Sequence, residues 1–392
     1  MAPTPRLRPY EGPPLLSYGF RPFFLLGSLY AGLAVVVWLP MFTGEFALPT
    51  AFAARDWHIH EMLYGFVSAV VAGFLLTAIP NWTGRLPLQG APLLTLVLAW
   101  LTGRIAVAGS AGIGWLPAAL LDLSFLLLLT AAVTREILAG RNWRNLKVLA
   151  VLATLFAGNA LFHAEAHLRG AAEYGTRIGI AATLVLVMLI GGRIIPSFTR
   201  NWLARANPGR MPMPFDTFDK AAVVGAVAAL TAWVVVPEST ATGAALIAAG
   251  FVQGLRLARW AGDRIWRDRL VLILHVAYGF VPLGFVLVGL SALGLLPAAA
   301  GVHAWTGGAI GAMTLAVMSR ASLGHTGRPL AATPALQAVY VLVTASVLAR
   351  VCGALHPAWS AALLPLAGAL WAAAFFGFVG AYWRALTGPK LG

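Results

Sequence analysis

The chain has 392 residues, of which 60 % are hydrophobic and only 10 % charged, and its mean hydropathy is +0.82. That leaves too little polar surface to cover a water-soluble globule, so composition alone points to an integral membrane protein. A net charge of +14 would suggest nucleic acid in a soluble chain; here it reports how Lys and Arg divide between loops, and no nucleic-acid partner is expected.

Residues 1–19 form a short N-terminal segment, Pro-rich and basic in its first fourteen residues. Runs of about 20 apolar residues then recur along the chain, the length an α-helix needs to cross roughly 30 Å of hydrocarbon, without the two-residue alternation of a transmembrane barrel. Predicted spans lie at 20–41, 59–79, 91–109, 115–134, 146–166, 177–198, 219–236, 241–258, 270–293, 302–322, 333–353 and 358–383. The first apolar run outlasts the core of a signal peptide, so it is expected to persist as the first span. The longest loop, Thr199 to Asp219, carries the turn signals Asn207-Pro208-Gly209 and Met211-Pro212-Met213-Pro214 and is too small for a soluble domain. The expected fold class is therefore an all-α polytopic membrane protein, a single transmembrane domain over 1–392 with about twelve helices.

Lys and Arg divide sharply. Twenty-two fall on the N-terminal side, from Arg6, Arg8 and Arg21 through to Arg384 and Lys390, and five on the other: Arg55, Arg104, Arg169, Arg177 and Arg350. The positive-inside rule then puts both termini in the cytoplasm, and an even helix number, which keeps both on one side, agrees. The single cysteine, Cys352, excludes an intrachain disulfide or a cysteine-based cluster, so any metal site must use nitrogen, oxygen or Met sulfur.

Six of the eight histidines, His58, His60, His163, His167, His303 and His356, fall at or next to the outer face by this topology. The second span opens Trp57-His58-Ile59-His60-Glu61-Met62. Residues two apart on a helix point about 200° apart, so His58 and His60 serve one metal only if the first turn is unwound; otherwise they serve different sites. His60 shares a face with Tyr64, while His58 lies over Met62, a soft partner suited to copper. The alternative is that one of the two caps the helix at the headgroups. Asp122, in the fourth span, reads as a proton carrier or a structural hydrogen-bond partner.

The fifth span ends Asn159-Ala160-Leu161-Phe162-His163-Ala164-Glu165-Ala166-His167. The i, i+4 spacing of His163 and His167 makes a ready bidentate metal site, against the alternative of a solvated helix end. Arg55, Arg169 and Arg177 flank these histidines and would suit haem propionates. Arg193 in the sixth span reads as a snorkelling side chain. His275 lies about two turns inside the ninth span, and with His325 it forms a candidate inner centre or simply bonds a carbonyl. His303 opens the tenth span, followed by Gly307, Gly308 and Gly311, a face a flat macrocycle could approach. His60 and His303 would ligate one haem from facing helices with rings about 4 Å apart. His356, beside Pro357, reads as a loop residue.

An internal echo appears when helix ends are aligned. His60 is followed 24 residues on by Gly84 in Thr83-Gly84-Arg85-Leu86-Pro87-Leu88, and His303 by Gly327 in Thr326-Gly327-Arg328-Pro329-Leu330. Tyr18-Gly19-Phe20-Arg21-Pro22 and Tyr278-Gly279-Phe280-Val281-Pro282 keep the same offset of eight helices. Three four-helix repeats, 20–140, 141–265 and 266–392, would explain both matches.

The run His60-Glu61-Met62, the segment Ala72 to Arg85, the segment Gly191 to Thr199, and His303 to Leu330 together resemble the NnrS family over nearly the whole chain. The resemblance implies a haem- and copper-associated protein of a bacterial inner membrane that takes part in the nitric oxide response, with b-type haem and copper as cofactors and nitric oxide as ligand. The four-helix period is similar to the catalytic subunit of haem-copper oxidases and nitric oxide reductases. There are departures: the sixth span has no His, the seventh no His-His pair, and no His-Pro-Glu segment occurs. Copper would therefore fall to His163 and His167 with His58 or Met62. No Cys-x-x-Cys-His, flavin or nicotinamide motif names an electron donor. Two other readings stay open, a twelve-helix secondary transporter and a haem- or copper-delivery protein. Acidic residues are scarce in the spans, and transporters of this layout usually repeat in halves of six, which weighs against the first.

Overall fold

The structure, a computed structural model, describes residues 10–391. Residues 1–9, which hold Arg6, Arg8 and part of the expected N-terminal segment, and residue 392 lie outside the described residues. All regular structure among the described residues is helical.

Among the described residues twelve long helical rods follow in order: α1 Phe20–Thr43, α2 Ala54–Thr83, α3 Ala91–Ala108, α4 Trp115–Ala139, α5 Leu146–Arg169 and α6 Tyr174–Ala206. Then come α7 Thr217–Val235, α8 Thr240–Ala258, α9 Arg269–Ala292, α10 at 298–325, α11 Pro334–Leu355 and α12 Ser360–Thr387. Eleven helices among the described residues are long and apolar enough to cross a membrane, which makes the chain an all-α polytopic membrane protein. The rod at 298–325 stands outside those eleven, its apolar content diluted by His303, Thr306, Gly307, Gly308 and Gly311. Several rods outrun their predicted spans: α2 begins at Ala54 rather than 59, and α6 continues to Ala206 rather than 198. Hydropathy measures the width of hydrocarbon crossed, whereas backbone hydrogen bonding carries a helix on into polar surroundings.

The two Thr-Gly-Arg motifs do the same local job. Gly84 and Gly327 take φ of +70° and +72°, the left-handed conformation that closes a helix at little cost only in glycine. The preceding Thr83 and Thr326 hydroxyls bond back to the Ile79 and Ser322 carbonyls at 2.9 and 2.5 Å. Rods α2 and α10 share a second feature. His60 is the last α-helical residue before the π-helical segment Glu61–Phe66, and His303 the last before Ala304–Ala312. A π segment shifts backbone hydrogen bonds from i+4 to i+5 and leaves carbonyls in need of other donors; such segments gather at functional positions. In α2 the Trp100 indole and the Ser68 hydroxyl supply them, bonding the Gly65 and Tyr64 carbonyls.

The chain divides into two compact units. The first holds the described residues up to Gly179, Ala321–Arg328 and the chain from Val379 onward. Its core includes Phe23, Phe24, Phe125 and Trp100, and buried Arg21 in α1 donates to the Leu386 and Gly388 carbonyls at 3.1 and 2.6 Å. His325 packs in this unit against Tyr18 and Phe20, with ring centroids 5.7 Å apart in each pair.

The second unit holds Ile180–Arg320 and Pro329–Phe378. Here α8 and α9 approach backbone to backbone: a Cβ on Gly243 would stand 2.9 Å from the Gly289 carbonyl oxygen, and one on Gly289 2.8 Å from that of Gly243. Close approach through small residues is how helices gain dispersion energy in lipid. Gly289→Val is therefore expected to cost about 1–3 kcal/mol by overpacking. A lowered thermal midpoint in detergent checks this, and an unchanged midpoint would mean the pair has slack. Below that contact, Arg256 is fully buried. It donates to Asp219 at 2.8 Å, the Tyr278 hydroxyl at 2.9 Å and the Met188 carbonyl at 3.1 Å. His275 Nε2 lies 2.9 Å from the Thr199 hydroxyl.

Candidate metal centre

The first unit concentrates polar side chains where lone charges would be prohibitive. Four rods bring them there from alternating chain directions: His60 and Glu61 near the start of α2, Arg104 near the end of α3, Asp122 near the start of α4, and Asn159 and His163 near the end of α5. Each is roughly 6–15 Å along its helix from the same end of the group, at 1.5 Å per residue. None exceeds 5 % exposure.

Glu61 is the hub. It accepts from the Tyr30 hydroxyl, from Arg104 Nη1 at 2.6 Å and from His60 Nδ1 at 2.7 Å. Arg104 reaches on to Asp122 Oδ1 through Nη2, so one guanidinium bridges two carboxylates in the manner its rigid fork allows. Gly65 and Gly103 make the room: a Cβ at the first would stand 2.5 Å from Arg104 Nη1, and at the second 3.0 Å from Asp122 Cα.

Around the other carboxylate oxygen the lone pairs converge. His163 Nε2 lies 3.0 Å and His60 Nε2 3.3 Å from Asp122 Oδ2, and Asn159 Nδ2 donates to it at 2.7 Å. That donation turns Asn159 Oδ1 toward His60 Nε2, 3.0 Å away. A neutral His60 ring with its proton on Nδ1, toward Glu61, turns the Nε2 lone pair toward two oxygens. A cation relieves that arrangement, and the contacting groups, two carboxylates and one guanidinium, sum formally to −1. His60, Asp122 and His163 offer ligand atoms all within 4.8 Å of one another, two imidazole nitrogens and one carboxylate oxygen. Such a set suits a single transition-metal ion, with Glu61 completing a carboxylate–histidine pair behind the ligand.

A haem at His60 is a different matter. The His60 ring is enclosed by Phe52, Phe162 and Tyr64, with centroids 5.2, 5.3 and 5.7 Å away, and by His163 at 4.7 Å. Those rings leave no slot for a porphyrin, so the residues at His60 fit an ion and do not fit the macrocycle. His303, in the second unit, donates from Nδ1 to the Ala299 carbonyl at 2.7 Å, which leaves Nε2 as its ligand atom. The glycine face beyond it is filled by protein: Cβ atoms on Gly308 and Gly311 would meet Phe280 at 2.3 Å and Trp371 at 2.4 Å.

The remaining expected residues spread out. Ala54–His60 is a regular α-helix, so the first turn is not unwound and His58 and His60 point apart. His58 stacks on Trp38, centroids 4.1 Å apart, and Met62 is half-buried in the π segment. His167 is exposed and stacks on Trp115 at 4.4 Å. Arg55, Arg169 and Arg177 have protein carboxylates: Arg55 lies 3.6 Å and Arg177 3.2 Å from Glu173, and Arg169 3.8 Å from Glu165. His356 stacks on Trp359 in the α11–α12 turn, centroids 4.5 Å apart.

Sequence reading found His60 and His163, and singled out Asp122 without joining it to them. It missed Glu61, Asn159 and Tyr30, and it counted Arg104 among the outer charges, whereas Arg104 is buried inside α3 at 5 % exposure. A usable signal existed: Arg104 and Asp122 are opposite charges alone in consecutive apolar spans, and charges in hydrocarbon must pair. Asn159 also stands one helical turn from His163. No curated protein matches the chain. A family model described as NnrS protein matches residues 14–390.

Proposed function

The chain belongs to the NnrS family, and on that ground we propose that it is a bacterial inner-membrane protein of the nitric oxide response, both termini cytoplasmic, which holds copper at His60, Asp122 and His163. The observation that carries the proposal is the meeting of those three ligand atoms, from three helices, within 4.8 Å in a buried setting. The −1 formal sum favours a bound cation, and copper is among the transition metals that imidazole nitrogen suits. Copper bound there supplies a site at which nitric oxide can bind.

The side chains have separable tasks. Glu61 keeps the His60 proton on Nδ1 and so presents Nε2. Arg104 offsets the second carboxylate charge, and Phe52, Phe162 and Tyr64 exclude water. A small neutral gas partitions into the bilayer and needs no polar channel. Haem, the other group associated with the family, finds no slot at His60 or on the filled glycine face beyond His303, so this proposal assigns it no ligand.

The test is metal analysis and absorption spectra of the purified chain, oxidised, reduced and with nitric oxide. The proposal expects one copper per chain, lost in His163→Ala and kept in His356→Ala, and a spectrum that nitric oxide alters. Copper-free protein with a spectrum indifferent to nitric oxide would end it. A second reading, proton-coupled transport, draws on the same buried carboxylates and would be favoured by metal-free protein that moves a substrate across vesicles.

A further inference from the structure

Beside the buried centre, in the same unit, lies a small cleft lined by Phe52, Ser110, Trp115, Ala118, His163 and His167. It joins two residues of opposite exposure. His163 is 3 % exposed and belongs to the ligand set; His167, one helical turn outward on the same face of α5, is open to the surroundings. His167 is also held in place, its ring stacked on Trp115 with an interplanar angle of 21°.

Phe52 sits where the cleft meets the centre. Its ring lies 5.2 Å from that of His60 and 5.3 Å from that of His163, and it is half-buried. It is carried by the non-helical stretch between α1 and α2, which is pinned at a few points. The Ala51 amide donates to the Ser110 hydroxyl at 2.7 Å, Thr50 and Ser110 hydroxyls are 3.2 Å apart, and the Ala111 amide donates to the Pro49 carbonyl at 2.9 Å. A ring on a loop can swing aside without breaking a helix; the rings of Phe162 and Tyr64, on α5 and α2, cannot do so as readily.

We propose that this cleft is the loading route of the buried centre: His167 captures copper at the open end and passes it to His163, and Phe52 is the door that closes behind it. The proposal rests on the copper reading above. Transfer between imidazoles one turn apart needs no unbound ion in hydrocarbon, because the second ligand acts at high effective concentration. No bond other than metal–ligand contacts is made or broken, and the oxidation state does not change.

The experiment uses the full chain in nanodiscs, stripped of metal and presented with copper(I) from a coloured chelator complex, with uptake rate, extraction rate and final stoichiometry read separately. His167→Ala is expected to slow uptake about tenfold or more while leaving final stoichiometry unchanged. Phe52→Ala should speed both uptake and extraction, with Phe52→Leu in between. Because His167 is exposed and Phe52 is half-buried on a loop, both variants are expected to fold, which circular dichroism confirms. Wild-type rates in both variants, with stoichiometry still abolished by His60→Ala, would overturn the route and leave the centre standing. A wild-type chain that takes up no copper would overturn both.

Discussion

Arg104→Met should destabilise the protein by about 3–5 kcal/mol, the cost of leaving a buried ion pair without one member. The guanidinium is 5 % exposed and is the one cation in contact with Glu61 and Asp122 among the described residues. Removing it takes the formal sum of the contacting groups from −1 to −2 among buried side chains, where charge is poorly screened. Arg104→Lys should recover only part of the loss, because an ammonium is a point charge and cannot span two carboxylates as a planar fork does. The diagnostic variant is the triple change Arg104→Met, Glu61→Gln, Asp122→Asn. Neutralising every member of the group removes the uncompensated buried charge that makes the single change costly, so much of the lost stability should return. Thermal unfolding in detergent reads all three, and a single Arg104→Met variant that melts with the wild type would refute the network as drawn.

The second large effect concerns the ion. His60→Ala and His163→Ala should each weaken copper binding by more than about 100-fold, since each removes a direct ligand, and Glu61→Gln by about 10–100-fold, the usual range for a partner behind a ligand. The Gln side chain can still accept from His60 Nδ1, 2.7 Å away in the native site, so its effect isolates charge from geometry. Competition with a chelator of known affinity measures the series. His58→Ala serves as the contrast, because His58 is not among the converging ligand atoms of the described residues; Met62→Ala tests the thioether beside it. Copper affinity that falls with His58 or Met62 and survives loss of His60 would move the site elsewhere.

The candidate centre shows how unevenly a membrane chain discloses itself. Placement of the spans, and the membrane class itself, were legible because each residue's transfer free energy between water and hydrocarbon adds along the chain with little regard to its neighbours. Helix stops were legible for a similar reason, Gly84 and Gly327 being the residues that tolerate the left-handed conformation. His60 and His163 stood out because imidazole inside an apolar run has to find a partner.

What joined them was not legible. Whether Asp122 in α4 meets His163 in α5, or Arg104 in α3 meets Glu61 in α2, depends on how each helix is rotated about its axis and how far it slides past its neighbour. Those quantities come from packing across many residues distant in sequence, such as Gly103 against Asp122 and Gly65 against Arg104. The π segment after His60 likewise shifts Glu61 to Phe66 by one backbone register with no compositional mark. By itself, then, the sequence determined an all-α membrane protein, where its helices run, and which histidines to watch. Tertiary structure alone decided that His60 and His163 converge on Asp122 while His58 and His167 stay outside the ligand set, because partition into lipid is a local property of each residue and convergence is a property of four helices packed together.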